Sequence, residues 1–250
     1  MLTAEEISAL LLSLRVAMVA LVFSLPFAVA IAYVLARKNF PGKIVIDGVI
    51  HLPLVLPPVA TGFALLLVLG RKGPLGSFLY DTFHITVAFR WTGAAVAAAV
   101  MAFPLIVRPI RLAFEAIDPR LEDAAATLGA RPLFVFLTVT LPLAVPGLLS
   151  AMVLGFAKCL GEFGATITFV SNIPSETRTL PLALYTYIQV PGGEGPAVRL
   201  AVIAVVISLG ALIIAEVLAV RAKRRLRGPA LQSLPNPPPN PPSSSSQVAP

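Results

Sequence analysis

The chain has 250 residues, 57% of them hydrophobic and only 12% charged, with a mean hydropathy of +0.89. A water-soluble domain carries about a quarter of its residues as charges, so this composition excludes one. The net charge of +7 comes from Lys and Arg gathered beside apolar runs, which is the pattern of membrane topology signals rather than of a nucleic-acid surface. The single cysteine, Cys159, excludes an internal disulfide and a cysteine-based metal cage. What remains is an all-α integral membrane protein.

In chain order, the amino terminus MLTAEEISALL carries two acids where a cleavable signal has a basic region, so the first apolar run is expected to stay as a span. That run, uncharged from Val16 to Ala36, has about the 20 residues a helix needs to cross the hydrocarbon and predicts a span over 14–36. Arg37, Lys38 and Lys43 then surround a Phe40-Pro41-Gly42 turn. The second span, 46–70, contains Pro53, Pro57 and Pro58, each of which removes a backbone donor and breaks or kinks a helix. Broken helices at membrane depth survive where protein or a watery cavity satisfies the freed carbonyls, so this span either faces a pathway or is a plain kinked helix.

Arg71 to Arg90 reads as a polar loop, and Trp91 opens the third span, 89–108, as an interfacial aromatic. Arg108 and Arg111 follow, and then the stretch PRLEDAAATLGARPLFVFLTVTLP from Pro119 to Pro142. Within it Leu121, Ala124, Ala125 and Leu128 fall at i, i+3, i+4 and i+7, so one face of a short helix is apolar, with Arg120, Glu122, Asp123 and Thr127 on the other. Gly129 ends that helix in the left-handed conformation, and Pro132 begins the next. A compact amphipathic helix held between two spans is a docking element.

The fourth span covers 138–162 and the fifth 199–220. Between them, the segment Thr179 to Gln189 is too short for a sixth crossing and reads as a re-entrant or surface helix. The transmembrane domain thus occupies 1–228, and the Pro/Ser-rich stretch 229–250, which cannot build a core, is expected to be a disordered tail. Arg37, Lys38, Lys43, Arg108, Arg111, Arg120, Arg131 and the cluster after Val220 fall on one side of this topology. They outnumber Arg15, Arg71, Lys72, Arg90, Arg178 and Arg199 on the other. The bias puts the amphipathic stretch and the C-terminus in the cytoplasm and the N-terminus outside.

No G-x-x-x-x-G-K-[ST] loop occurs, so the chain is not itself a P-loop ATPase, and energy must come from a partner or a gradient. His51 and His84 are read as lacking an acid at helical spacing, so no catalytic pair is expected. Lys158 and Glu162 are opposite charges one turn apart near the end of the fourth span. They either form a satisfied interfacial pair, or Lys158 supplies positive potential for an anion while Glu162, Phe163 and Gly164 shape an outer gate. Thr166, Thr168, Ser171 and Asn172 add neutral donors suited to passing an oxyanion without trapping it. Gly161 and Gly164 are hinge candidates, or simply sites of close helix packing.

Asp123-Ala124-Ala125, Gly129 and Val139-x-Leu141-Pro142 resemble the EAA loop of the membrane subunits of ABC importers, with Asp for Glu at 123 and Val for Ile at 139. The blocks HLPLVLPPVATG and LGEFGATITFVSNIPSETRTLPLALYTYIQVPGGE look like molybdate-importer permeases, with sulfate permeases as cousins. The resemblance implies a type I importer fold of about five spans in the bacterial inner membrane, with loop 109–137 carrying the coupling helix. It implies that Asp123, Ala124, Ala125, Gly129, Leu141 and Pro142 engage the ATPase. It also implies a homodimer, two ATPase subunits on the cytoplasmic face, a soluble oxyanion-binding protein outside, and no cofactor on this chain, ATP being used by the partner. Tungstate or sulfate is the alternative cargo. A gradient-driven secondary transporter is the alternative class; it requires intramembrane acids for ion coupling, whereas Glu162 and Glu216 sit near span ends. A membrane-embedded enzyme lacks a reactive constellation.

Overall fold

The computed structural model describes residues 2–226, all of it helix, turn and loop; the stretch 229–250 lies outside the described residues. Helix α1 (Ala4–Arg37) begins where Thr3 and Glu6 cap each other: the Glu6 amide donates to the Thr3 hydroxyl at 3.3 Å and the Thr3 amide to the Glu6 carboxylate at 2.7 Å. This start lies well before Val16. The two acids do not exclude the first turns from the bundle, because Glu6 is fully buried and paired with Arg199 at 2.9 Å.

Helices α2 (Lys43–Val55) and α3 (Pro58–Leu69) form the proline-broken second span, bent by 114°. Pro58 opens α3 at a position whose amide needs no helical acceptor. The expected polar loop after it contains a helix, α4 (Pro74–Phe83). Helix α5 (Trp91–Glu115) continues through Arg108 and Arg111, because Arg111 is held by Glu115 at 2.8 Å and by Asp47 of α2 at 2.9 Å. Next come α6 (Pro119–Thr127), α7 (Pro132–Val135), a π-helical turn at Phe136–Thr140, and α8 (Leu141–Leu160). The short α9 (Gly164–Val170), α10 (Leu180–Ile188) and α11 (Glu194–Leu226) complete the described chain. Among the described residues four helices are long and apolar enough to cross a membrane, five crossings if the bent α2/α3 pair is one span.

The core lies where α1, α5 and α8 meet. Ala28 and Ala32 of α1 and Ala94, Ala98 and Ala102 of α5 are fully buried and fall at four-residue steps. Lipid is as apolar as leucine, so helix association rests on close van der Waals approach, which such small-residue stripes permit. Large side chains such as Phe23, Phe27, Val205 and Ile214 are exposed on the outside of the bundle, as a lipid-facing surface requires. Helices α1 and α5 run parallel: Arg15 stacks over Trp91 at 3.8 Å near the start of both, and Tyr33 meets Phe114 edge-on at 5.6 Å near the end of both. Near the Arg15 end, the Leu180 amide donates to Ser13 Oγ at 2.6 Å, tying α10 to α1.

Candidate functional site

Two polar clusters lie at opposite ends of α8. The first surrounds α6, which forms where the 3.6-residue period and the breakers predict a short helix. Asp118 caps it by accepting the Arg120 amide at 3.0 Å, Pro119 occupies its first turn, and Gly129 takes φ +84°, open to glycine and costly for other residues. The helix faces the opposite way from one that packs its apolar side inward. Leu121 and Ala124 are exposed and Leu128 is 88% exposed, while Glu122, expected on the outer polar face with Asp123, turns inward with Ala125. Asp123 and Gly129 remain exposed, and Leu141 and Pro142 are half-buried at the start of α8. The apolar surface continues beyond the helix. Leu133 and Phe134 are exposed beside it, and a groove of about 720 Å³ opens between α5 and α8, lined by Pro109, Leu112, Ile117, Leu121 and Pro146.

Glu122 is held from two other elements. Its Oε1 accepts Arg37 Nη2 at 2.9 Å and Thr140 Oγ1 at 2.8 Å, and Arg37 Nη2 also reaches the Ile117 carbonyl at 3.2 Å. Both charged side chains are largely buried and Thr140 fully so. The sequence reading missed this trio. Arg37 read as a topology charge and Thr140 as filler inside the Val-x-Leu-Pro element, and nothing local to either residue points at Glu122.

The second cluster surrounds the turn between α8 and α9. Lys158 and Glu162 do form their one-turn pair, Nζ to Oε2 at 2.7 Å, though without hydrogen-bonding alignment. Glu162 is buried, and its Oε1 accepts the Ala165 amide at 3.0 Å, so the carboxylate caps α9. Phe163 packs on Tyr185 of α10 with ring centroids 5.0 Å apart. Gly164 and Gly62 make the α3–α9 contact close: a Cβ on Gly164 would lie 2.7 Å from Pro58 Cβ, and one on Gly62 only 2.4 Å from the Ala165 carbonyl. The second half of the broken span is therefore clasped to α9. Thr61, beside Gly62, is buried, and among the described residues its hydroxyl has no hydrogen-bond partner.

The neutral donors are arranged less uniformly than their spacing suggests. Thr166 is buried, and Thr168 Oγ1 donates back to the Gly164 carbonyl at 2.9 Å. Ser171 is exposed at φ +65°. Asn172 spends its amide on neighbours, Nδ2 donating to Thr186 Oγ1 at 2.8 Å and Oδ1 accepting Arg178 Nε at 3.0 Å. His51 corrects the expectation that it lacks an acid at helical spacing. Asp47 lies one turn before it, its carbonyl 2.8 Å and its carboxylate 3.6 Å from His51 Nδ1.

Residues 14–224 match the family described as the inner membrane component of binding-protein-dependent transport systems. The chain belongs to this family. It is 57% identical over 224 residues to the molybdenum transport system permease protein of Escherichia coli, covering 90% of this chain and 98% of that one. The counterpart from Haemophilus influenzae is 55% identical over 221 residues, 88% of this chain and 96% of that one. More distant is the sulfate transport system permease protein of Salmonella typhimurium, 36% identical over 74% of this chain and 66% of that one. Among solved structures, a bacterial ABC transporter that imports alginate matches with a TM-score of 0.66 at 18% identity, over 91% of this chain and 82% of that one. An amino acid ABC transporter matches at 0.61 and 21% identity, over 87% of this chain and 94% of that one. At such identities the structural likeness speaks for the fold, the type I importer permease fold.

Proposed function

We propose that the chain is the permease subunit through which an ATP-driven importer passes molybdate across the bacterial inner membrane. The observation that carries this reading is the 57% identity to a molybdenum permease along nearly the whole of both chains. The chain is a conduit and not an enzyme: with no phosphate loop of its own, it depends on a separate ATPase that binds and spends ATP. The outward apolar face of α6 supports docking of that ATPase. Leu121 and Leu128 offer the apolar anchors, Ala124 allows close backbone approach, and Asp123 and Gly129 border the seat, while Ala125 lies on the inward side with Glu122. In this reading Leu141 and Pro142 carry the movement into α8.

Two copies of the chain would form the conduit, with two ATPase subunits on the cytoplasmic side and a soluble binding protein delivering the anion outside. The excess of Lys and Arg on the α6 side supports a cytoplasmic α6 and an outer N-terminus. At the outer end, Lys158 contributes positive potential for a dianion. Glu162, Phe163 and Gly164 hold the α8–α9 turn against α10 and α3, and Thr166, Thr168, Ser171 and Asn172 belong to the gate region. Weak neutral contacts suit a conduit, since passage requires release as well as capture. Sulfate is the second reading of the cargo, favoured by the similarity to a sulfate permease.

Reconstitution of the chain with its ATPase and binding protein tests the proposal. Molybdate, delivered by the binding protein, is expected to stimulate ATP hydrolysis and to accumulate inside vesicles. Stimulation by sulfate alone would replace the cargo, and molybdate uptake without the ATPase would overturn the importer.

A further inference from the structure

The face of α6 opposite its exposed apolar side bears Glu122, and the structure gives that carboxylate a task that the docking motif does not describe. A partner pressing on Leu121 and Leu128 moves the membrane helices only if the far side of α6 is fastened to them. Its outgoing end is a weak fastener. Gly129 is exposed, and a Cβ there would meet nothing within 4 Å, so the turn leaving α6 is held by little around it. The firm attachment is Glu122 Oε1, which takes Arg37 Nη2 from the last residue of α1 and Thr140 Oγ1 from the last residue of the π turn that opens into α8. The same Arg37 nitrogen holds the Ile117 carbonyl just before α6, so one guanidinium grips both the approach to α6 and its first turn.

The surroundings make this attachment stiff. Charge-assisted hydrogen bonds are about twice as strong as neutral ones, and both side chains are largely withdrawn from solvent. One helical turn before Arg37, Tyr33 packs edge-on against Phe114 of α5 and Phe136 of the π turn, with centroids 5.6 and 5.0 Å away. The two elements that hold Glu122, the end of α1 and the π turn, are thus wedged together with α5 by aromatic rings. π-Helical turns inside longer helices are frequent at functional sites, and here the turn ends on the residue that Glu122 holds. Among the described residues Arg37 Nε is buried with no partner, and the guanidinium reaches Ile117 and Glu122 through Nη2, with Glu122 as its paired charge.

We propose that Glu122, with Arg37 and Thr140, is the transmission latch that makes α6, the end of α1 and the start of α8 move as one body when the ATPase moves α6. Glu122 is a positioning residue: it touches neither nucleotide nor anion. The inference rests on the importer reading, and the test separates the two. In proteoliposomes holding the full complex, the anion moved per ATP hydrolysed is measured for wild type, Glu122→Gln and Thr140→Val, using whichever oxyanion the wild type transports. A wild type that couples hydrolysis to no oxyanion refutes the importer reading.

For the latch, Glu122→Gln keeps the shape and removes the charge. It is expected to retain the ATPase on purification and to hydrolyse ATP within about twofold of wild type, while anion moved per ATP falls about tenfold. Thr140→Val removes one arm only and is expected to lose about threefold. A Glu122→Gln complex that remains fully coupled overturns the latch. So does one that sheds the ATPase, since Glu122 would then belong to the docking surface itself. Arg37→Lys, which keeps a cation opposite Glu122, is expected to retain more coupling than Arg37→Leu, and equal losses would also contradict the proposal.

Discussion

At the α6 end of the bundle, Glu122 reaches across 85 residues of chain to Arg37 and ties three separate elements together. At the α9 end, Glu162 finds its partners within four residues, at Lys158 and the Ala165 amide, and fixes only the turn it sits in. There the long-range attachment is made by backbone instead: Gly62 and Gly164 let α3 and α9 touch with no room for a side chain. The contrast separates two jobs. A polar latch can be weakened without unfolding the chain and is suited to passing on a push, whereas a glycine clasp has no intermediate setting and is suited to holding the broken span in one place.

The clasp gives the largest expected effect. In Gly62→Leu the new Cβ meets the Ala165 carbonyl at 2.4 Å and its Cα at 2.8 Å, so α3 and α9 have to part. Overpacking of this kind costs about 3 kcal/mol, and the apparent Tm in detergent is expected to drop by about 6–12 °C. An unchanged melting curve would break the comparison at its α9 end. A smaller effect follows from Glu162→Ala, which removes the α9 cap at a cost of about 1–2 kcal/mol. Lys158 is 29% exposed and can turn to water once its partner is gone, so little is added by the broken pair. Glu162→Gln, whose amide oxygen can still accept the Ala165 amide, is expected to recover most of that loss. Equal destabilisation by both variants would mean that the charge, and not the cap, holds the turn.

What could be read from the sequence follows the reach of each interaction. Helix α6 was legible because its period and its Gly129 stop both lie within a dozen neighbouring residues, and the second break was legible because prolines act where they stand. The Lys158–Glu162 pair was equally local. Glu122 was misjudged because a carboxylate among Arg120, Asp123 and Thr127 reads as part of a solvated face, and the guanidinium that turns it inward comes from the end of α1. The early start of α1 was hidden in the same way, since Glu6 is neutralised by Arg199 at the far end of the sequence. Asn172 shows the converse: its type fits an oxyanion donor, yet both ends of its amide already have partners.

Coupling in this protein requires α6 to present its apolar side to an ATPase. Leu128 is 88% exposed and touches none of the core, so Leu128→Asp is expected to leave thermal stability within about 0.5 kcal/mol of wild type. The direct measurement is the affinity of the ATPase for the permease in nanodiscs. Loss of an apolar anchor is expected to weaken it by about 2 kcal/mol, or about 30-fold. An affinity unchanged in Leu128→Asp would contradict the assignment of α6 as the docking helix.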